Sequence, residues 1–421
     1  MGLRAVACPC SWQLHWLGQA VQVQVSETAE ETIESSANRR VIAGVASLDL
    51  RRDLGVPAAI RIGEMIVQLV LLSWLNPTGG PSLSARLSEW DAVYYGNIAT
   101  HWYPHDIVLA PDGSLQHGYE FAFYPLYPLL AGFTHLLGFS TKHALLVTAA
   151  LCGIAASIVV HLLARRVLGS RRAGYLACAL IGALPMAIAL QMGYAESLYI
   201  AVTAGALLAA FDERWWLAGV LTFAAGLTRP SGLLVPLVIP LAAWAVSRAR
   251  SVRWSQVTGA TVLGFAAAPA FWIYLSWRTG VSNAWFVVEK HGWQSRIDWG
   301  RATLHFLHST LQHPNGVDGV MGPATAVVLI GFLAACVVAM VGRNPPPIVV
   351  LSILSVAIVL GSTNYWHSKP RLLLAAFPLI IVIAAGLLRL RNRTAITLVV
   401  AGVLASAWFG AYALDVWQYA V

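Results

Sequence analysis

The sequence predicts an all-α polytopic membrane protein. Of its 421 residues 58% are hydrophobic and only 11% charged, whereas a soluble domain carries about 25% charged residues. Mean hydropathy is +0.66, and apolar runs recur along the chain. A helix needs about 20 residues to cross a bilayer. Eleven stretches approach that length, at roughly 57–76, 143–164, 173–191, 195–211, 214–228, 231–247, 256–277, 319–341, 347–362, 372–388 and 394–414.

Residues 1–56 differ from the rest. They contain "SETAEETIESSANRR" and no clean apolar core. They read as a disordered cytoplasmic extension or an overlong start, ahead of a membrane domain at 57–421. In the first span Arg61 and Glu64 are spaced to meet on one helical face. Cys152, Cys178 and Cys336 fall inside apolar runs, where cysteine packs as a small hydrophobe. Cys8 and Cys10 form a CxC with no metal or disulfide framework around it.

Residues 77–141 form a first non-spanning loop. In it Leu83, Leu87, Trp90, Tyr94 and Ile98 recur at helical spacing, predicting one interfacial helix over 83–101. Asp91 sits just off that stripe. The segment 119–140 is apolar, but Pro125 and Pro128 interrupt it, so it reads as an amphipathic or re-entrant element. A second large loop covers 278–318.

The formal net charge is +8, from 27 Lys+Arg and 19 Asp+Glu. In a membrane chain this points to cytoplasmic loops rather than to nucleic acid. Arg165, Arg166, Arg171, Arg172, Arg214, Arg248, Arg250, Arg253, Arg343, Arg389, Arg391 and Arg393 crowd one set of connections. By the positive-inside rule that set is cytoplasmic. The N-terminus is then inside, and "EWDAVYY", "FAFYPLYP", "QMGYAES", "LTRPSG", "NYWHSKPR" and the loop 278–318 lie outside.

Those outer stretches hold the candidate site residues. Asp91 is the candidate general base or orienting carboxylate, because an acid among interfacial aromatics is costly unless used. Glu89 beside it is a supporting acid. Arg371, Lys369, Arg229 and His367 are candidates for holding a phosphate, Arg being shaped for bidentate contacts. Glu196 begins a span, where the helix dipole favours a carboxylate, and it is also a candidate partner for Arg229. Trp90, Tyr94, Tyr95, Tyr124, Tyr127, Tyr194 and Trp293 are candidate substrate contacts. The sequence contains no HExxH, GxGxxG, Walker loop or DxD pair, and nucleotide donors are not expected on the outer face; if the chain is a transferase, its donor should be a lipid-carried group with phosphate as leaving group.

"WDAVYYGNIATHWY" followed by "AFYPLYPLL" resembles the "WD…Y…IA…GY…AFFPLYP" pattern of the PIG-V-type mannosyltransferases, the family of the second mannosyltransferase of GPI-anchor assembly and its bacterial homologues. "GYAESLY" is similar to that family's "YSESLF", "LTRPSGLL" to its "R-(S/P)-x-G" element, and "SKPRLLLAAFPL" to its "PRY…FPL" segment. The matches run in order from about residue 57 to 390. Tyr124, Ala195 and Leu372 depart from the usual Phe, Ser and Tyr, which leaves the acceptor open.

The resemblance implies a GT-C-type glycosyltransferase helical bundle with its catalytic Asp, here Asp91, in the first outer loop. It implies a polyprenyl-phosphate mannose donor, inversion at the anomeric carbon, and a lipid or glycolipid acceptor. No cofactor is required on this reading, and the divalent-metal requirement is left open. The expected location is the plasma membrane, with the site on the outer or periplasmic face. The competing reading is a lipid-linked sugar flippase without chemistry. That reading expects polar residues through the bundle and an internal repeat, and no convincing repeat is present.

Overall fold

A computed structural model describes residues 48–312, 319–363 and 365–417, and the chain divides after Asp49. The folded unit is helical apart from one short hairpin. In order it contains α1 (Val56–Leu75), α2 (Leu83–Arg86), α3 (Asp91–His101), β1 (Val108–Leu109), β2 (Leu115–His117), α4 (Leu126–Leu136), α5 (Thr141–Leu168), α6 (Arg171–Ala183), α7 (Glu196–Phe211), α8 (Trp215–Gly226), α9 (Val238–Ser247), α10 (Trp254–Thr279), α11 (Ala284–His291), α12 (Arg301–Gln312), α13 (Met321–Val341), α14 (Pro346–Leu360), α15 (Lys369–Leu372), α16 (Leu379–Leu387) and α17 (Asn392–Asp415). The all-helical, multi-pass architecture expected from the hydropathy is present.

All eleven expected spans are helical, but they are not equal. Six helical stretches among the described residues are long and apolar enough to cross a membrane: Leu50–Leu75, Thr141–Leu168, Pro230–Ser247, Trp254–Thr279, Met321–Val341 and Asn392–Asp415. A seventh is broken, bending by 70° between Trp366–Ala376 and Leu379–Leu387. The stretches expected at 173–191, 195–211, 214–228 and 347–362 hold the shorter helices α6, α7, α8 and α14. A 16-residue helix such as α7 rises about 24 Å, less than the ~30 Å hydrocarbon core.

The expected extension at 1–56 ends earlier than its composition suggests. Residues 1–47 lie outside the described residues. Leu50–Gly55 is a π-helical turn continuous with α1. It is held because Asp53, fully buried, pairs with Arg165 at 2.6 Å, Arg171 at 3.1 Å and His161 at 3.2 Å. The boundary read at 56/57 therefore moves to Leu50.

Helix α1 buries a polar stripe of Arg61, Glu64 and Gln68. Arg61 and Glu64 pair at 3.1 Å, as their spacing predicts. Gln191 donates to Gln68 at 2.9 Å, and Ser157 donates to the Pro57 carbonyl at 3.0 Å. Lipid offers no hydrogen bonds, so these groups face inward and partner one another.

The segment 83–101 is not one helix. It breaks between α2 and α3 at Trp90, whose φ of 58° is uncommon for a bulky residue. Breaking there lets α3 bury Ala92, Tyr95, Gly96 and Ile98, so Leu87 and Ile98 of the predicted stripe are buried while Trp90 is left exposed. At 119–140, Tyr119–Ala122 is a 3-10 turn and α4 begins at Leu126. Pro125 and Pro128 sit before and within the first turn of α4, where proline is tolerated. Its 11 residues span only about 16 Å, so the segment does not cross a bilayer.

Two ends of the bundle are chemically distinct. The arginine-rich end carries the Asp53 cluster and the pairs Arg166–Asp212 at 2.7 Å and Arg250–Glu213 at 2.8 Å. At the other end Tyr127 donates to the Leu145 carbonyl. Leu145 and Arg165 lie on the same helix α5, so the two ends are about 30 Å apart.

Removing one partner of a buried pair strands a charge and costs about 3–5 kcal/mol. Arg61→Leu is therefore expected to lower stability by about that amount, and Arg61→Leu combined with Glu64→Leu to recover most of the loss. Thermal unfolding in detergent checks this; an equally unstable double variant refutes the pairing account.

Candidate active site

At the end of the bundle away from the arginine clusters, four charged side chains from distant segments meet. Arg371 pairs with Asp91 at 2.7 Å, and its Nε lies 3.6 Å from Glu196. Glu196 pairs with Arg229 at 2.7 Å. The network holds two carboxylates and two guanidiniums, so its formal charge is zero. The Arg371 guanidinium also stacks over the Tyr194 ring at 4.8 Å, a favourable arrangement for a desolvated cation.

Each charge arrives at the end of a helix. Asp91 opens α3 and Glu196 opens α7, where the dipole favours acids. Arg229 lies between α8 and the 3-10 segment Pro230–Leu237, in extended backbone. Arg371 lies on the single turn α15, ahead of the 70° bend. Short and broken helices thus deliver the charges, and non-helical backbone occurs where it lines protein.

The turn before Asp91 is strapped down by the segment "QMGYAES". The Gly193 amide donates to the Leu87 carbonyl at 2.9 Å, and the Tyr194 hydroxyl donates to the Glu89 carbonyl at 3.3 Å. Glycine is needed at 193: a Cβ there would lie 3.0 Å from that of Ala92 and 3.1 Å from that of Leu145. Burial pushes the Asp91 carboxyl above its ordinary range, while Arg371 pulls it back down.

Aromatic side chains wall the site. Tyr94, one turn beyond Asp91, stacks on Phe123 at 5.1 Å and meets the edge of Trp293 at 5.8 Å. Tyr95 packs on Phe123 and Tyr127, each at 5.0 Å. It lies within electrostatic reach of Glu196, Arg229, Asp91 and Arg371.

Other expected site residues have different employment. The Lys369 ammonium is buried and donates to the carbonyls of Val359 at 2.7 Å and Ser362 at 2.8 Å, serving the open C-terminal end of α14. His367 sits in an aromatic group with Tyr365, Trp366 and Trp417. The Glu89 carboxylate pairs with Arg86 at 3.5 Å, and Arg86 pairs in turn with Asp415 at 3.1 Å. Trp90 is partly exposed. Tyr124 and Tyr127 are fully buried, and their hydroxyls are bonded within the protein. The Tyr124 hydroxyl accepts from Trp272 Nε1 at 3.0 Å, and Tyr127 donates to Leu145.

One carboxyl near the site was not singled out by the sequence reading. Glu289 on α11 lies close enough to Asp91 for the two to repel. Burial pushes its carboxyl up to about 7, against a hydrogen bond to Ser295, and Asp91 adds to the rise. Its signal was present in "WFVVEKHGW", an acid set among aromatics.

No family model matches the chain. Over 163 residues the chain is 32% identical to GPI alpha-1,6-mannosyltransferase 2 of Cricetulus griseus, covering 36% of this chain and 30% of that protein. Over 164 residues it is 31% identical to the Rattus norvegicus protein of the same name, covering 36% of this chain and 31% of that one. The match thus spans about a third of those relatives' length. This similarity agrees with the PIG-V-type resemblance of the motifs. Among solved structures, ArnT from Cupriavidus metallidurans bound to undecaprenyl phosphate aligns with a TM-score of 0.48 at 14% identity, over 85% of this chain and 75% of that one. AglB from Archaeoglobus fulgidus aligns with a TM-score of 0.46 at 13% identity, over 84% of this chain and 56% of that one.

The employment of Lys369 gives a clear expectation. Lys369→Met should lower the thermal midpoint by orphaning two carbonyls, at about 1–3 kcal/mol for each group left unsatisfied. It should leave the affinity for dodecyl phosphate unchanged. Weakened phosphate binding at an unaltered thermal midpoint would return Lys369 to the anion site.

Proposed function

We propose that this chain is a membrane glycosyltransferase that moves mannose from polyprenyl-phosphate mannose to a lipid or glycolipid acceptor, with inversion. The observation that carries it is the Asp91–Arg371 pair at 2.7 Å. It joins the acid of the first outer loop to the arginine of "SKPR", and so supports Asp91 as the proton acceptor and Arg371 as the cation that holds the phosphate. The similarity to GPI alpha-1,6-mannosyltransferase 2 supports mannose as the sugar. The arginine-rich end is assigned to the cytoplasm by the positive-inside rule, which puts the site on the outer face of the cell membrane. No nucleotide or other cofactor is required on this reading, and the divalent-metal requirement stays open.

The reaction is one displacement. The acceptor oxygen attacks the anomeric carbon and its proton passes to Asp91. The bond from that carbon to the phosphate oxygen breaks, and its electron pair leaves with the phosphate. Arg371 stabilises the departing phosphate, with Arg229 behind it. Protonation removes the charge that Arg371 was holding on Asp91, so the guanidinium is released to the phosphate as the phosphate gains charge. Glu196 keeps Arg229 and Arg371 in register throughout. Tyr94 and Trp293, both partly exposed, flank the reacting sugar, while the buried Tyr95 and Tyr194 back the charged network.

The test is transfer of radiolabelled mannose from polyprenyl-phosphate mannose in membranes holding equal amounts of each variant. Asp91→Asn keeps the shape and removes the base, and is expected to lower turnover by about 100- to 10,000-fold while donor still binds. Glu89→Gln, which loosens only the Arg86 contact, should be milder. Near-normal turnover in Asp91→Asn, or transport of the lipid-linked sugar without transfer, sinks the reading. Arg371→Ala should weaken donor use by about 1.5–3 kcal/mol, as expected for a charge-assisted contact. Arg371→Lys should recover only part of that loss, since the bidentate geometry is gone. Unchanged donor kinetics in both variants would remove Arg371 from the phosphate site.

A further inference from the structure

We propose that the end of α17 is a strut of the active site: Asp415 and Trp417 fix the segment that carries Asp91 relative to the segment that carries Arg371. The inference rests on the transferase reading above. Neither residue touches the reacting atoms, so both are positioning residues.

The contacts close a ring. Asp415 pairs with Arg86 at 3.1 Å, and Arg86 also reaches Glu89 at 3.5 Å. Arg86 ends α2, and the chain runs from it through Glu89 and the break at Trp90 to Asp91. Just beyond Asp415, Trp417 meets the Trp366 ring at 5.5 Å and the His367 ring at 6.0 Å. Those two residues open the 3-10 turn Trp366–Ser368, which runs directly into α15 and Arg371. Arg371 then pairs with Asp91 at 2.7 Å and completes the ring.

The acid in this ring works against its own helix. The Asp415 side chain is fully buried and closes a 24-residue helix. Burial penalises its charge, and the C-terminal end of a helix dipole favours cations over anions. Among the described residues the pair with Arg86 is the one contact that compensates the carboxylate. What the acid does is therefore hold Arg86, not cap α17. The backbone carries that hold on to Trp417. The amides of Val416 and Trp417 both donate to the Tyr412 carbonyl at 3.0 Å, so α17 itself sets the carboxylate and the indole relative to each other.

Each segment also has an anchor of its own. Trp366 stacks on Phe306 of α12 at 4.8 Å, and Lys369 is bound to the Val359 and Ser362 carbonyls. Gly193 holds the Leu87 carbonyl. Tyr194 bridges the two segments next to the charges, through the Glu89 carbonyl and the Arg371 guanidinium. Helix α17 bridges them earlier in each segment, at Arg86 and at Trp366–His367. Two bridges at different points fix an angle as well as a distance. That matters because reacting groups displaced by about 1 Å lose about 100-fold in rate.

Steady-state mannose transfer by the purified full chain tests this, with polyprenyl-phosphate mannose as donor. Asp415→Asn frees Arg86 and is expected to lower kcat by about 10- to 100-fold, more than Glu89→Gln does, with donor KM near wild type. Trp417→Leu loosens the turn that leads to Arg371 and should raise donor KM by about 10-fold, part of the effect of losing a charge-assisted contact. Asp415→Glu and Trp417→Phe should each recover most of the loss. Added to Asp91→Asn, Asp415→Asn should cost nothing further, because a residue that acts through another is not additive with it. A helix end that only stabilised the bundle would lower the amount of active enzyme, leave KM in place and add fully to Asp91→Asn. Wild-type kcat in Asp415→Asn, wild-type KM in Trp417→Leu, or full additivity with Asp91→Asn overturns the strut alone. If Asp415→Asn does not fold, the KM of Trp417→Leu, which removes ring contacts and no charge, decides. Failure of the wild-type chain to transfer mannose sinks the transferase reading and the strut with it.

Discussion

The structure depends on one constraint: charge at the edge of hydrocarbon must be paired. Removing one member of a buried pair costs about 3–5 kcal/mol, a large part of the total stability of a typical domain. Asp91, Glu196, Arg229 and Arg371 solve this by alternating sign along one chain of contacts. Because they come from four separate segments, four pieces of backbone must stop near one another. The short α7 and α8, the bent pair after Trp366 and the break at Trp90 all follow from that requirement. Backbone held in an unusual region such as that of Trp90 costs about 1–3 kcal/mol and persists where its surroundings fix it. Here the straps from Gly193 and Tyr194 fix it.

The same rule operates deeper in the bundle. Arg61 with Glu64, and Gln68 with Gln191, place polar groups on the inward face of α1. Asp53 gathers Arg165, Arg171 and His161 at the far end. Helix α1 is therefore held by polar contacts along its length, not by apolar packing alone. Hydrophobic burial discriminates little between partners within a membrane, because lipid is as apolar as leucine. Polar pairs supply the register that apolar contacts cannot.

Much of this was legible in the sequence, for physical reasons. Apolar runs report helices because the bilayer permits little else, and all eleven expected stretches are helical. Asp91, Glu196, Arg229 and Arg371 stood out because charges beside apolar runs are costly. Lys369 and Glu89 were drawn in by proximity, yet each is two residues from its functional neighbour. On the α15 turn that spacing is about 200°, so Lys369 and Arg371 face apart, while Glu89 and Asp91 are separated by the backbone break at Trp90. The burial of Tyr124 and Tyr127 was not legible because their partners, Trp272 and Leu145, come from elsewhere in the chain. The break at Trp90 was hidden by an apolar stripe that continued through it. Glu289 carried the same signal as Asp91, an acid among tryptophans, and only its distance along the chain concealed their common neighbourhood.

The neutrality of the four-charge network bears on how the proposed transfer would run. A phosphodiester donor brings one negative charge to a site that is balanced at rest, so the complex as a whole is negative. As the sugar leaves, the phosphate gains a second ionisable oxygen. The acceptor proton arrives on Asp91 in the same event and makes the network positive by one. The charge created on the phosphate is thereby matched by the charge removed from the carboxylate, and Arg371 lies between the two. No ion need enter from solvent, and little reorganisation of surrounding dipoles is required, which is the condition under which preorganised electrostatics act most strongly. Loss of that proton from Asp91 to solvent would reverse the balance. Asp91 would recover its hold on Arg371, the phosphate would lose its cation, and the spent lipid would be released.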